Sequence, residues 1–208
     1  MKNVRAANPN LYIFDLQRTP EVEEAVHANA VEPLPQRLAG AFPGFKAGDL
    51  LISYNTTNLL FVIDPETLKV KWWRCGPWDR QHDPHWNADG SISVLSNNMR
   101  AVERGDRSCS DIVTIDPTSL KSAVLLRGDD YGCFTRINGR QHWTDAGTLL
   151  ITSSTQGRVF EVDRSGRVVF DFINLYDAEK HQTLHTSYAC YVGDESFNPD
   201  QFAQGKKF

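Results

Sequence analysis

The stretch "FVIDPETLKVKWW" (Phe61–Trp73) joins an aliphatic strand to a second strand through a short turn. Its apolar residues are β-branched or aromatic, and Asp64-Pro65 supplies tight-turn chemistry. The same order recurs in "VTIDPTSLKSAVL" (Val113–Leu125) and in "FEVDRSGRVVFDF" (Phe160–Phe172). The repetition predicts one structural unit that the chain uses several times.

A further apolar strand precedes each of these stretches: "GDLLIS", "GSISVLS" and "GTLLITS". Four short strands in a repeat of about 50 residues are typical of a β-propeller blade. A β-sandwich or a solenoid is the alternative. The chain holds about three to four such units, whereas closed propellers typically have 4–8 blades. We therefore predict an all-β fold, a β-propeller of repeated four-stranded blades that is partial or incomplete.

The repeats divide the chain into three parts. We predict a lead-in segment over residues 1–26, propeller repeats over 27–192 and a tail over 193–208. The stretch "TPEVEEAVHANA" (Thr19–Ala30) predicts the one helix, because Thr19 is suited to cap it and Pro20 to its first turn. A charged lead-in to a strand is the other interpretation.

Composition argues against several classes of protein. The 208 residues carry a formal net charge of −4 and show no basic stripe, so a nucleic-acid partner is not expected. No apolar run approaches the roughly 20 residues of a membrane span. The opening "MKNVRAANPNLYIFDL" lacks the apolar stretch of a signal peptide. If the chain is complete as written, this predicts a cytoplasmic protein.

The four cysteines, Cys75, Cys109, Cys133 and Cys190, form no CxxC pair, which argues against a zinc ribbon or a thioredoxin-like site. A disulfide between Cys109 and Cys133 is one expectation, since both lie in loop-like sequence. The other expectation is that all four cysteines are unpaired thiols.

Histidines recur in step with the repeats. Arg-Gln-His occurs twice, ending at His82 and His142, and His27 and His185 stand at comparable places. Each histidine comes just before or near the start of a unit. In a propeller, such positions lie at one height around the central channel, so we expect the histidines to converge there. Packing between blades is the alternative reason for their repetition.

Converging imidazoles suit either metal binding or catalysis on an anion. No HxH or HExxH motif appears and most nearby acids sit in turns, so we predict no metal and no cofactor. Arginine provides a forked cation for sulfate or phosphate oxygens. The predicted substrate-binding residues are Arg80, Arg140, His85, Asn97, Asn98 and Tyr54.

At these residues the sequence resembles the aryl-sulfate sulfotransferase family that needs no nucleotide sulfate donor. The resembling pieces are "HAN" at His27, "GDLLIS" with "FVIDPETLKVKWW", "GPWDRQHDPHWNADGSISVLSNN" and "GRQHWTDAGTLLITSSTQGRVFEVDRSGRVVFDFIN". They extend from His27 to Asn174. The family is a β-propeller, which agrees with the repeats.

The resemblance implies a ping-pong transfer between a phenolic sulfate and a phenol. His142 would attack sulfur and become sulfated, while His82, His27 and Arg100 would stabilise charge or move a proton. Five tryptophans would either line the aryl pocket or fill the blade cores: Trp72, Trp73, Trp78, Trp86 and Trp143.

The resemblance also implies a periplasmic or secreted protein. The expected partners are small-molecule substrates, a phenolic sulfate and a phenol. The small number of repeats also suggests either a homo-oligomer or further blades from a longer chain. The alternative function is a non-catalytic propeller used for binding or assembly.

Overall fold

The computed structural model describes residues 2–11, 13, 27–105 and 109–192. Twelve strands of this part form three four-stranded antiparallel sheets, each a meander in which strands pair in chain order. Each sheet is therefore a propeller blade, and the predicted all-β fold of repeated four-stranded blades is confirmed.

The first blade contains β1 (Ala28–Pro33), β2 (Leu50–Tyr54), β3 (Leu59–Ile63) and β4 (Val70–Cys75). The second contains β5 (His82–Trp86), β6 (Ile92–Ser96), β7 (Asp111–Ile115) and β8 (Ser122–Leu126). The third contains β9 (Arg140–Trp143), β10 (Leu149–Ser153), β11 (Arg158–Val162) and β12 (Val168–Ile173). A hairpin of β13 (Leu175–Asp177) and β14 (Gln182–Thr183) follows.

Helical structure is sparse. The α-helices are α1 (Lys2–Ala7), α2 (Met99–Glu103) and α3 (Gly128–Tyr131), and 3₁₀ turns span Gln36–Ala41 and Ser154–Gln156. None of the helices in the described ranges is long and apolar enough to cross a membrane.

The repeated aspartates make the turns between the third and fourth strands. Asp64 Oδ1 accepts the N–H of Glu66 at 2.9 Å, and Asp116 Oδ1 accepts that of Thr118 at 2.8 Å. Asp163 repeats the bond to the residue two positions on, at 2.9 Å. These are Asx turns, in which a short acceptor replaces a backbone carbonyl. The motif that defines the repeat thus has a structural role.

Apolar side chains pack between successive blades. Leu51, Leu60 and Val62 of the first blade share a buried cluster with Ile92 and Val113 of the second. The next cluster joins Leu95, Ile112 and Leu126 to Leu149, Ile151, Phe160 and Val162. The inner strands β1 and β5 lie side by side, as do β5 and β9. Because these inner strands are neighbours, polar side chains from all three blades lie close together.

Two sequence expectations need correction. Ala28–Ala30 belongs to β1, so the predicted helix over Thr19–Ala30 is wrong at its end, and residues 19–26 lie outside the described part. The tail over 193–208 also lies outside it. No disulfide joins Cys109 to Cys133; all four cysteines are thiols. Cys133 is 1% exposed in the core between the second and third blades, and this burial raises its thiol pKa to about 11.

Candidate active site

A groove of about 930 Å³, here called the central groove, runs along the inner strands. Its lining includes Glu32 of β1, His85 of β5 and His142 of β9. Each of these residues pairs with the second residue of the adjacent strand: Leu51, Ser93 and Leu150 respectively. They therefore occupy equivalent positions in the three blades.

This register corrects the predicted equivalence of His82 and His142. The residue level with His142 is His85, and the repeated structural unit is His-Trp rather than Arg-Gln-His. The register of β5 shifts between His82 and His85, where Asp83 has a φ of +52°. This bulge moves His82 away from the level that His142 occupies.

Asp83 is the centre of an ionic cluster in the central groove. Its Oδ1 accepts a bond from Arg140 Nη1 at 2.8 Å. Its Oδ2 lies 3.0 Å from His85 Nε2 and accepts the backbone N–H of Gln141 at 2.8 Å. The residue is 7% exposed, and these three donors compensate the cost of burying its charge.

His85 lies between two carboxylates. Its Nδ1 is 2.9 Å from Glu32 Oε2, and its Nε2 contacts Asp83. Burial alone would lower the pKa of His85, but the hydrogen bonds to Asp83 and Glu32 outweigh it and raise the pKa to about 10. His85 is therefore an imidazolium at neutral pH, and both of its N–H groups are engaged.

Arg140 adds a second fixed cation to the central groove. Its side chain is 48% exposed, and its guanidinium carbon lies 5.4 Å from the centroid of the Tyr188 ring. One guanidinium nitrogen contacts Asp83, and the other N–H groups bond to none of the described residues, so they can bind an anion in the groove.

His142 differs from His85 in charge and in bonding. It is half-buried, and its ring makes no hydrogen bond or ion pair to the residues that the structure describes. Burial lowers its pKa, and the positive charge of His85 lowers it further. A neutral imidazole with a nitrogen lone pair thus lies beside two cations.

Aromatic rings form part of the groove wall. Trp86 is 4% exposed and donates its indole N–H to the carbonyl of Glu32 at 3.2 Å. The guanidinium of Arg164 lies 5.2 Å from the ring centroid of Trp143. The Trp86 ring packs inward against Phe42 and Phe45. Trp143 and Tyr188, each beside an arginine, give the groove an amphipathic wall suited to an aryl group.

His82 has a different environment. Its Nδ1 lies 2.7 Å from Oδ1 of Asn97, while the amide of Asn97 donates to the carbonyls of Thr135 and Asn138 at 2.7 and 2.9 Å. Since the Asn97 amide nitrogen faces two acceptors, its oxygen faces His82, and His82 must donate through Nδ1. Burial lowers the pKa of His82, and His27 is close enough to contribute.

The other predicted site residues lie apart from the central groove. Arg100, on α2, places its Nε 3.4 Å from Asp79 Oδ1 in a separate pocket that Asn98 also lines. The backbone N–H of Arg80 donates to Asn58 Oδ1 at 2.8 Å. Tyr54 is 5% exposed, packs edge-on against Phe61 in the core and does not line the central groove.

Most of the chain matches the model of one protein family. The family model described as arylsulfotransferase (ASST) matches residues 6–175. This chain belongs to the arylsulfotransferase family. No curated protein sequence is significantly similar to it.

Among solved structures, the chain is similar to selenomethionine-substituted virginiamycin B lyase from Staphylococcus aureus. The two share 11% identity with a TM-score of 0.43, over 74% of this chain and 43% of the lyase. The chain therefore spans less than half the length of that lyase.

Of the predicted site residues, His142, His85 and Arg140 line the central groove. Glu32 and Asp83 also line it and were not among the predicted site residues. No group of three or more metal-binding side chains occurs in the described ranges. Glu32 carries no local motif; only its register opposite Leu51 identifies it. For Asp83 the available signal was its place between two histidines in "HDPH".

Proposed function

We propose that this chain transfers a sulfuryl group from an aryl sulfate to a phenol, with His142 as the intermediate carrier. The observation that supports this most directly is the arrangement in the central groove. There a neutral His142 lies with a guanidinium, Arg140, and an imidazolium, His85. Family membership supports the same reaction class.

In the first half-reaction, a ring nitrogen of His142 attacks the sulfur of the aryl sulfate. The S–N bond forms as the S–O bond to the aryl group breaks, and the bonding electrons leave with the phenolate, which takes a proton from water. In the second half-reaction a phenol oxygen attacks the same sulfur. The S–N bond then breaks, the phenol proton is released to a base and His142 returns to its neutral state.

Arg140 and His85 are the groups best placed to stabilise the sulfuryl oxygens. Their charges are held in place by Asp83, so little reorganisation accompanies the reaction. Because both nitrogens of His85 are bonded to carboxylates, it acts through its charge and not as a proton donor. In this proposal Arg140 and His85 stabilise charge in place of Arg100, His82 and His27. Those three residues do not line the central groove.

The groove wall favours an aromatic donor. Trp143 and Tyr188 offer flat apolar surfaces, and Arg164 beside Trp143 adds positive charge. An aryl sulfate combines these two requirements, a flat ring and an anionic head.

Incubation with an aryl sulfate alone, followed by intact-protein mass spectrometry at neutral pH, tests the proposal. We expect the mass to rise by at least one sulfuryl group, and the adduct to be absent in His142→Gln. The matched control is His181→Gln, an exposed histidine outside the groove, which should keep the adduct. An adduct that persists in His142→Gln would exclude His142 as the carrier.

The alternative, an assembly module, is favoured by one observation. Every residue of β12 is exposed, including Phe170 at 45% and Phe172 at 48%. Such an apolar strand suits contact with a further blade or a second copy of the chain. Sedimentation velocity should show association that Phe170→Ser with Phe172→Ser abolishes; a monomer at all concentrations would count against a second copy.

A further inference from the structure

A second cavity, of about 400 Å³, also reaches His142. Its lining combines His142, Trp143 and Thr144 with Glu161 of β11 and with Cys190 and Tyr191 of the C-terminal segment. His142 and Trp143 also line the central groove, so both spaces reach the proposed carrier residue. We call this second space the acceptor cavity.

His142 and Glu161 stand on the same face of the third blade. Leu150 of β10 pairs with His142 on one side and with Glu161 on the other. The Cα atoms of His142 and Glu161 are therefore two strand spacings apart, or about 10 Å. Leu150 lies between them on that face, and the side chains of His142 and Glu161 both line the acceptor cavity.

Glu161 is a buried acid with an unusual set of partners. It is 5% exposed, and no cation forms an ion pair with it among the described residues. One carboxylate oxygen accepts the hydroxyl of Thr148, which is itself 2.6 Å from the hydroxyl of Thr144. The other oxygen accepts the phenol hydroxyl of Tyr191. Two hydroxyl donors, and no cation among the described residues, thus satisfy this buried carboxylate.

Tyr191 thus places a phenol hydroxyl, the group that accepts a sulfuryl group, in the acceptor cavity. Its ring is on the surface, at 60% exposure, while its hydroxyl reaches Glu161 within the acceptor cavity. The hydrogen bond to Glu161 raises the pKa of Tyr191, so the phenol remains protonated until a base removes the proton.

We propose that Glu161 is the acceptor-binding residue and general base, and that Tyr191 occupies this subsite as an internal acceptor that becomes sulfated. This rests on the sulfuryl transfer proposed above. The phenol oxygen of Tyr191 attacks the sulfur held on His142; the S–O bond forms, the S–N bond breaks, and the proton passes to Glu161. A free phenol would displace Tyr191 and react in the same way.

Peptide mapping after incubation with an aryl sulfate tests this modification. We expect sulfotyrosine at Tyr191 in the wild type, none at that position in Tyr191→Phe, and little in Glu161→Gln. In Tyr191→Phe the sulfated His142 should accumulate because its internal acceptor is gone. Tyr176, which is 70% exposed on β13, serves as the control tyrosine and should stay unmodified. Sulfation of Tyr176 to the same extent, or sulfated His142 beside an unmodified Tyr191, would overturn the internal-acceptor role.

Binding of free phenol tests the subsite without any turnover. Tyr191→Phe releases Glu161 and should bind phenol about tenfold more tightly than the wild type, the effect of one hydrogen bond to a charged group. Adding Glu161→Gln should remove that gain, as followed by NMR titration. Equal affinities in all three proteins would overturn the subsite even if the sulfated His142 is found. A missing adduct together with the expected affinities would instead reject the proposed transfer and retain Glu161 as a phenol site.

Discussion

At the scale of single residues, the two forms of histidine in this protein follow from their neighbours. His85 contacts two carboxylates and is charged, whereas burial without a carboxylate partner keeps His142 and His82 neutral. The chemistry of each imidazole is thus set by residues from other blades and not by its own sequence motif.

Asn97 fixes the tautomer of His82, and this can be observed directly. We expect ¹⁵N NMR at neutral pH to show His82 protonated at Nδ1, with a lone pair on Nε2. Asn97→Ala should give a mixture of tautomers and lower the free energy of unfolding by about 1–3 kcal/mol. The Asn138 carbonyl loses the Asn97 donor, while the Thr135 carbonyl keeps the bond from the Ser110 hydroxyl.

Asn87→Ala is the control for that experiment, since among the described residues the Asn87 side chain bonds only to Ser91 and Ser93 of its own turn. It should leave the His82 signals unchanged. An Nδ1 proton that survives in Asn97→Ala would show that Asn97 does not set the tautomer.

At the scale of elements, the C-terminal segment that carries Tyr188 and Tyr191 is attached to the third blade at Gly157. A Cβ at Gly157 would lie 2.3 Å from the carbonyl oxygen of Leu184, and its φ is +61°. Nearby, the backbone N–H of Thr186 donates to Ser154 at 3.1 Å. A side chain at position 157 is therefore incompatible with the docked segment.

Gly157→Ala should release this segment while the blades stay folded. We expect faster limited proteolysis between residues 184 and 192 and loss of the Tyr191–Glu161 contact. Gly132→Ala is the matched control, because its φ is +57° but nothing lies within 4 Å of its Cβ position. Both variants carry the strain of a left-handed residue, of about 1 kcal/mol. Equal proteolysis of the two variants would show that strain, and not the close contact, is responsible.

At the scale of the whole molecule, the ionic cluster connects all three blades. Glu32 belongs to the first blade, Asp83 and His85 to the second, and Arg140 to the third. The charges are partly buried, so their contribution to stability depends on pH.

The pKa of His85 is raised in the folded state, so its stabilisation is complete below its unfolded value of about 6.5 and is lost as the pH rises towards about 10. The pKa of Asp83 is lowered, so its stabilisation is present above about 3.9 and is lost as the pH falls further. We expect thermal stability to be highest from about pH 4 to 6.5.

Glu32→Gln removes one carboxylate from His85 and should make the alkaline loss of stability smaller and shift it to lower pH. Circular dichroism melting curves from acid to alkaline pH measure this. Glu66→Gln, which changes a 79% exposed carboxylate, is the control and should follow the wild type. Identical curves for Glu32→Gln and the wild type would contradict the role of the cluster.

The sequence by itself determined the blade. Strand composition and the aspartate turns depend on residues within a few positions of one another. "FVIDPETLKVKWW" and its two counterparts therefore predict strand pairs, and with the strands that precede them they predict four-stranded units. The same local information identified His142, His85 and Arg140 as candidates.

Only the tertiary structure decided which of these side chains meet. The bulge at Asp83 changes the register of β5, and a shift in register changes which residues share a level around the axis. It therefore places His85 beside Glu32 and level with His142, and leaves His82 with Asn97. The contacts of Glu32, Glu161 and Tyr191 join distant parts of the chain, and no local pattern encodes them, because their partners are set by how blades and segments pack.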